Sequence, residues 1–403
     1  MSKVEQENLT KSRRISAWTK FFISALGFLI TVAYFPLELG FGLIRTSIPI
    51  VALAGIMVAF THTFQKFDLI DVILLLLSCW ITIVLVIIPS LSSSGVNWNL
   101  YLGEAGSLAA GGLIRKLCRE FSRELIRGLG YGLFTQVFLG LYQVVMGPRR
   151  LNGLGYVYPT FIFEPGGGFS RAFGSFFNPV VYGSFIAILG IGLCSFYINE
   201  KKKFIFIAIA ALAAIILSET RGALIAFLIG IILLAIKMKK ITRDFPVILS
   251  IYILTIGLLF LSLFVHKSDF LERNTNRIIS IKDATSDQSV LTRQEMWKEA
   301  SQLIAENPIT GGGTEFLLGD FEYSTPFLQA YKHPHSTYFF VALVYGVFPG
   351  LFLFLLLLLK LVTLKNEKSV IIVFIIAGAT ETIWSSVNMM ILLILLSEIT
   401  EQK

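Results

Sequence analysis

Apolar runs of about 15–22 residues recur along almost the whole chain, separated by short polar or basic stretches, and this repetition sets the fold class. An α-helix rises 1.5 Å per residue, so about 20 apolar residues cover the ~30 Å hydrocarbon core of a bilayer. The runs lack a period of two, which disfavours a β-barrel. Composition agrees: 55 % of residues are hydrophobic, only 15 % are charged, and mean hydropathy is +0.75. A soluble domain needs about 25 % charge to clothe its surface. The sequence therefore predicts an all-α polytopic integral membrane protein with about 12 transmembrane helices.

The net charge of +8 does not indicate a nucleic-acid partner. The basic residues come in short clusters between apolar runs, as cytoplasmic flanks of membrane helices do. A basic stretch (Lys11, Arg13, Arg14, Lys20) precedes the run from Phe21 with no small-residue cleavage site after it, which reads as a retained first helix entering from inside. Spans are expected at about 21–38, 43–60, 68–89, 100–114, 129–147, 179–198 and 204–218. Another starts at Arg221, and spans at about 246–265, 336–359, 369–382 and 386–398 complete the set. This threading puts RKLCREFSR, the Lys201–Lys203 turn, KMKKITR and Lys360 with Lys365 and Lys368 on one side, as the positive-inside bias requires. The segment 100–114, which contains Glu104, is the weakest span, and losing it would invert everything before it.

Residues 1–403 read as one polytopic domain without internal repeats. Two polar stretches fall outside: a Gly/Pro-rich loop at 148–177 and a large loop at 266–334, expected to contain short helices and part of the chemistry. Cys79, Cys118 and Cys194 lie in or beside apolar segments and offer neither a disulfide framework nor metal spacing.

Several residues stand out against the apolar background. Arg221 follows a tight outer turn, SETRG, at the start of a helix, against both the helix dipole and the positive-inside bias. Such a site suits an anion held by helix N–H groups and a guanidinium, or an arginine snorkelling to the headgroups. Arg293 lies in SVLTRQEMWKEASQLIAENP. Thr292 and Glu295 match a capping box, which would put Arg293 in the first helical turn, on one face with Trp297, Ala300 and Ile304. The competing reading is an anchoring ion pair with a neighbour such as Asp287. His335, in YKHPHSTYFF, re-enters the membrane from the outer loop, where an imidazole can serve as general base for a hydroxyl, or simply cap a helix. With His333 it could suggest a metal, but no third ligand is spaced to join them. Arg171 and Asn178, in GGGFSRAFGSFFNP, precede a span, and NPITGGGTEF (Asn307 to Phe316) is a second glycine-rich turn. Neither is followed by GK[ST], so nucleotide binding is unsupported.

In order, FGSFFNPVVYGSF, SETRGALIAFLIGI, TRQEMWKEASQLIAENPITGGG and HPHSTYFFVALVYGVFPG resemble the O-antigen ligase and O-antigen polymerase superfamily of bacterial envelopes, over roughly residues 165–360. The resemblance implies glycosyl transfer on the outer (periplasmic) face of the cytoplasmic membrane, from a glycan carried on undecaprenyl diphosphate, with no cofactor and no metal. The family's histidine motif is His, then Asn, Ser or Gln, then nine residues to a Gly; His335, Ser336 and Gly346 match it. Family members often carry Gly, Thr or Tyr three residues later, where this chain has Pro349. The arginine after the small polar turn corresponds to Arg221 and the loop arginine before the Trp to Arg293. By this resemblance His335 is the base and Arg221 and Arg293 meet the diphosphate; beside them Arg171, expected to assist at the diphosphate, Asn178 and Ser336 are candidate substrate-binding residues. The implied partners are the lipid-linked oligosaccharide, a glycan or lipid acceptor, membrane lipids and a chain-length regulator. A polymerase is favoured over a ligase that delivers glycan to lipid A core or another acceptor.

Two other classes are weighed beside this one. A transporter or flippase usually carries charges near the membrane midplane, whereas here only Glu104 and Glu381 fall inside apolar stretches. A lipid-dependent glycosyltransferase with an acidic residue in its first outer loop would use Glu38, but no acidic cluster supports it.

Overall fold

The computed structural model describes residues 17–32, 34–38, 43–45, 47–61, 69–91, 96–146, 171–176, 178–239, 288–321, 324–363, 368–380, 382, 391–396 and 398. Residues 147–170 and 240–287 lie outside that set, and with them most of the 148–177 loop, the span expected at 246–265 and the first part of the 266–334 loop.

Helix α1 spans Ala17–Ile30 and closes where the amides of Thr31 and Val32 donate to the carbonyls of Phe28 and Leu29. Pro36 cannot continue a helix. Strand β1 (Tyr34–Glu38) instead pairs antiparallel with β2 (Leu43–Arg45), Tyr34 facing Arg45 and Glu38 facing Leu43. The first helix is therefore shorter than the 21–38 span expected, and this hairpin is the exception to a fold that is otherwise helical among the described residues. Helix α2 covers Ser47–Thr61, and α3 covers Leu69–Leu91 with a π-helical turn at Ile83–Ile87.

Helix α4 runs from Trp98 to Met146 and breaks only at Phe121, whose φ of −123° and ψ of 27° are not helical. The segments expected to span here, 100–114 and 129–147, lie on two limbs of this helix, of which Glu120–Met146 is long and apolar enough to cross a membrane, and the basic cluster between them stays helical rather than forming a loop. On the first limb Arg115 reaches Asp71, Gly112 faces Leu74 and Tyr101 meets Thr82, so this limb is antiparallel to α3. On the second limb Gly128 faces Ser24 and Gly132 faces Thr31, so it runs parallel to α1. Added methyl groups there would collide with the α1 backbone or with Thr31, the close helix approach that small residues permit in membranes.

Helices α5 (Pro179–Phe196), α6 (Lys201–Leu217) and α7 (Arg221–Lys239) run back and forth. The 18 residues of α5 rise ~27 Å, carrying the chain from Asn178 at one end of the bundle to Tyr197 at the other. Then follow α8 (Gln288–Glu306), α9 (Gly313–Leu318), α10 (Pro326–Tyr331), α11 (Thr337–Tyr345), α12 (Val347–Thr363), α13 (Ser369–Thr380) and a helical stretch over 391–396. The span expected at 336–359 is thus divided, at Gly346, into α11 and α12.

Three helices among the described residues are long and apolar enough to cross a membrane: Leu69–Leu91, Glu120–Met146 and Pro179–Phe196. Trp18–Ile30, Val347–Val362 and Ser369–Thr380 are apolar but shorter. Helix α5 is nearly all buried, while Phe138, Phe206, Ile232, Phe354 and Val362 are exposed around it. A water-soluble surface does not carry so much exposed apolar area; a lipid-facing one does.

The far ends of α3, α4, α12 and the C-terminal segment are tied by buried charges. Arg115 bonds Glu398 through Nε (2.6 Å) and Asp71 through Nη1 (3.0 Å), and Lys360 reaches the same Glu398 oxygen at 2.6 Å. Lys116 pairs with Asp71 as well. Buried charges are tolerable only when paired in this way.

Candidate active site

The site is assembled from two halves. In the first, two buried glutamines seven residues apart on the second limb of α4 cradle the backbone of residues 173–175. Gln143 Oε1 accepts from the amides of Phe173 (3.0 Å) and Gly174 (2.9 Å), while its Nε2 donates to the Gly174 carbonyl at 2.7 Å. Gln136 accepts from the Ser175 amide at 3.0 Å and donates to Thr31 and Ser175. The loop so fixed presents Arg171 to the SETRG turn. Its Nε donates to the Ser218 carbonyl at 2.9 Å, and its Nη2 lies 3.4 Å from both the Glu219 carbonyl and Thr220 Oγ1. Thr220 Oγ1 in turn donates to the Pro179 carbonyl at 3.1 Å.

The turn itself holds Glu219 at a φ of +52°, a conformation non-glycine residues rarely adopt without support. Arg221 emerges from it, half-buried, as the first residue of α7. Asn178 caps α5: its Oδ1 accepts from the amides of Val180 (2.8 Å) and Val181 (3.4 Å), and Pro179 opens the helix, the usual pairing of cap and first-turn proline.

The second half is built on α8. Arg293, Trp297, Ala300 and Ile304 share one face, as the spacing predicts, and Ala300 enters a small core with Met296, Leu328 and Leu343. Trp297 stacks on Phe339 (5.7 Å between centroids, 13° between planes), and its indole N–H donates to the Pro334 carbonyl at 2.9 Å. Arg293 sits one turn before this anchor, and Pro334 immediately precedes His335. The capping box does not form. The helix is already under way at Gln288, because nothing in Gln288–Leu291 breaks it, so Thr292 lies buried inside the helix. Asp287, the alternative partner for Arg293, lies outside the described residues.

Glu299 receives the amides of Phe327 (3.2 Å) and Leu328 (2.8 Å), fixing the start of α10. After α10 the chain bends sharply, with Lys332 at φ +65° and His335 at φ +47°. His335 packs its ring 4.4 Å from that of His333 and 6.1 Å from that of Tyr331. His333 Nδ1 is buried with no hydrogen-bond partner among the described residues. Burial, reinforced by the neighbouring His335, drives its pKa from 6.5 to about 4, so His333 is neutral near pH 7. Ser336 occupies the N-cap position of α11, buried, with its carbonyl accepting from the Phe340 amide but no side-chain capping bond.

Gly346 explains the nine-residue spacing of the histidine motif. It ends α11 at φ +85° and ψ 177°, a region open essentially to glycine alone, and a Cβ there would strike the Ile309 carbonyl. The break admits the glycine-rich turn: the Val347 amide donates to Pro308 (2.8 Å) and the Gly312 amide to Leu343 (2.9 Å). Beside it lies a cavity of about 340 Å³ lined by Val84, Ile88, Pro89, the 310–315 turn and Leu318. The Trp80 indole donates to the Tyr345 carbonyl at 2.8 Å and holds the end of α11 on α3.

Helix α13 joins the halves. Tyr338, three residues beyond His335, donates its hydroxyl to the Ile375 carbonyl at 3.2 Å. Five residues on, or ~7.5 Å along the axis, Thr380 packs against Gly222, next to Arg221. The turns bearing His335, Arg221 and Arg171 therefore share one end of the bundle, and α8 brings Arg293 to the same end. Among the described residues no group of three His, Cys, Asp or Glu is arranged to hold a metal.

A multi-helix protein of membrane type, with polar turns gathered at one end, is the class this fold and site define. Residues 204–355 match the family model described as O-antigen ligase, and over that region the match supports the O-antigen ligase and polymerase superfamily and glycan transfer of that type. The matched region contains Arg221, Arg293, His335 and Ser336 and ends inside α12; Arg171 and Asn178 precede it. No curated protein matches the chain.

Proposed function

We propose that the protein is a membrane glycosyltransferase that moves a glycan from undecaprenyl diphosphate to an acceptor hydroxyl on the outer face of the cytoplasmic membrane. The observation that carries the reading is the meeting of the His335, Arg221 and Arg293 elements at one end of the bundle, inside the matched O-antigen ligase region. In the proposed reaction the acceptor oxygen attacks the anomeric carbon, the bond from that carbon to the diphosphate breaks, and His335 takes the hydroxyl proton. The departing diphosphate carries the electron pair away, and Arg221 and Arg293 meet its charge. Arg171 acts on the SETRG turn and Asn178 on the start of α5, so both are positioning residues in this scheme; Ser336, whose side chain makes no capping bond, is left to bind substrate beside His335.

The lipid-borne diphosphate rides at the headgroup plane, which suits a site at the membrane boundary, reached within a bundle of about 12 crossings. A repeat-unit polymerase, working with a chain-length regulator, is favoured over a ligase acting on lipid A core. The scheme requires neither metal nor cofactor. Purified protein with a polyprenyl-diphosphate-linked oligosaccharide in EDTA should lengthen or transfer the glycan. Loss of transfer in EDTA, restored by a divalent cation, would overturn the metal-free scheme.

A further inference from the structure

At the end of the bundle opposite the candidate active site, a cavity of about 410 Å³ opens between the α4 break and the α5–α6 turn. Its lining is Arg123, Arg127, Phe196, Tyr197, Glu200 and Lys203, three cations against one carboxylate. Arg123 and Arg127 are four residues apart, hence on one face of the second limb of α4, and neither forms an ion pair among the described residues. Lys203 is held in place, 2.7 Å from Glu200 and with its Nζ 4.8 Å from the centre of the Tyr197 ring. Glu200 is thereby already neutralised, so the two guanidiniums remain as excess positive charge.

Above the cavity, along the same helices, the wall turns apolar and faces outward. Tyr131, Phe138 and Phe206 are exposed, and Phe134 stacks on Phe206 at 4.9 Å. The pocket thus has a cationic mouth with aromatic edges, continuous with an exposed aromatic strip that rises toward the middle of the bundle. The ~27 Å length of α5 separates it from Asn178 by about the thickness of a bilayer core.

We infer that this cavity binds the phosphate headgroup of an anionic phospholipid in the leaflet opposite the active site, with an acyl chain along the Tyr131, Phe134, Phe138 and Phe206 strip. A guanidinium pair suits a phosphate through parallel N–H···O bonds, and basic pockets between membrane helices are a recurrent headgroup site. Aromatic side chains at the rim favour the interface over the aqueous phase. The occupant also has a structural consequence. It would bridge the α4 break at Phe121 to the α5–α6 turn and so brace the joint on which the second limb, with Gln136 and Gln143, depends.

The test uses the full-length protein purified in a neutral detergent and delipidated, with thermal unfolding followed on adding dioleoyl phosphatidylglycerol, dioleoyl phosphatidylcholine or inorganic phosphate. Phosphatidylglycerol should raise the midpoint by on the order of 5 °C at saturation, and phosphatidylcholine should not. Arg123→Gln with Arg127→Gln should weaken the apparent affinity at least about tenfold. Arg123→Lys with Arg127→Lys, which keeps the charge but not the fork, should retain only part of the shift, and Lys237→Gln, outside the cavity, all of it. Equal shifts by both lipids, or an undiminished response in the glutamine variant, would overturn the proposal. An equal response to inorganic phosphate would assign the site to free phosphate and likewise overturn it. If the glutamine variant does not fold, native mass spectrometry of Lys203→Gln with the two lipids decides: retention of phosphatidylglycerol as in wild type contradicts the site, and its loss supports it.

Discussion

Replacing Gly346 by Ala probes the joint between the histidine helix and the glycine-rich turn. Gly346 adopts φ +85° and ψ 177°, and moving a residue with a side chain into such a region costs about 1–3 kcal/mol. The new methyl group also runs into the Ile309 carbonyl, so the turn must withdraw. Withdrawal lengthens the Val347–Pro308 and Gly312–Leu343 hydrogen bonds, now 2.8 and 2.9 Å, each worth about 1 kcal/mol. The sum is about 3–5 kcal/mol, a large share of the 5–15 kcal/mol that a folded domain commonly holds. Thermal unfolding of the detergent-purified protein should show a midpoint lower by roughly 5–10 °C. Gly350→Ala is the control: this residue lies within α12, and its added Cβ would meet only the Ala342 methyl at 3.9 Å. It should be neutral or stabilising by up to about 1 kcal/mol. Equal midpoints for the two variants would refute the role given to Gly346.

Other residues give equally specific expectations. Trp297→Phe keeps the ring on Phe339 but deletes the bond to Pro334; stability should fall by about 1 kcal/mol, and glycan transfer should fall with it if the anchor aligns His335. Arg171→Ala removes the three contacts that hold the SETRG turn and should cost about 1.5–3 kcal/mol, whereas Arg171→Lys should recover only part, since a point charge cannot reproduce the fork; unchanged stability in Arg171→Ala would contradict the positioning role. For His333 the pKa falls from 6.5 to about 4, so on acidification the unfolded chain takes up the proton first. Its contribution is present above pH 6.5 and is lost as pH drops toward 4. His333→Asn should flatten that part of a plot of unfolding midpoint against pH, and an unaltered slope would count against burial as the cause.

The membrane character of the chain was legible because it depends on local composition. So was the α8 stripe, because Arg293, Trp297, Ala300 and Ile304 recur at helical spacing. The interval from His335 to Gly346 could be matched to a family motif, but its cause could not be read, since Ile309 and Gly346 approach only after the chain has turned twice. The roles of Gln136 and Gln143 are hidden in the sequence for the same reason. Their loop partners lie 30–39 residues away in sequence and Thr31 lies 105 away, and the sole local signal is a pair of amides seven residues apart in an apolar helix. In the ionic knot of Asp71, Arg115, Lys360 and Glu398 a single bond joins residues as many as 283 positions apart, beyond the reach of any periodicity. The capping box at Thr292 does not form because the residues from Gln288 onward are equally able to be helical. At Pro36 the breaker was visible, yet the apolar run around it outweighed it in the expected span.

The most direct test of the central claim is glycan transfer by His335→Ala in the purified protein, using a polyprenyl-diphosphate-linked oligosaccharide and following product length or acceptor modification. The variant should fold, since the His335 ring packs half-buried in a bend beside the rings of Tyr331 and His333 rather than in the buried core, and it should lose transfer by about 100-fold or more. A folded His335→Ala protein that transfers glycan at the wild-type rate would contradict the assignment of this end of the bundle as the active site.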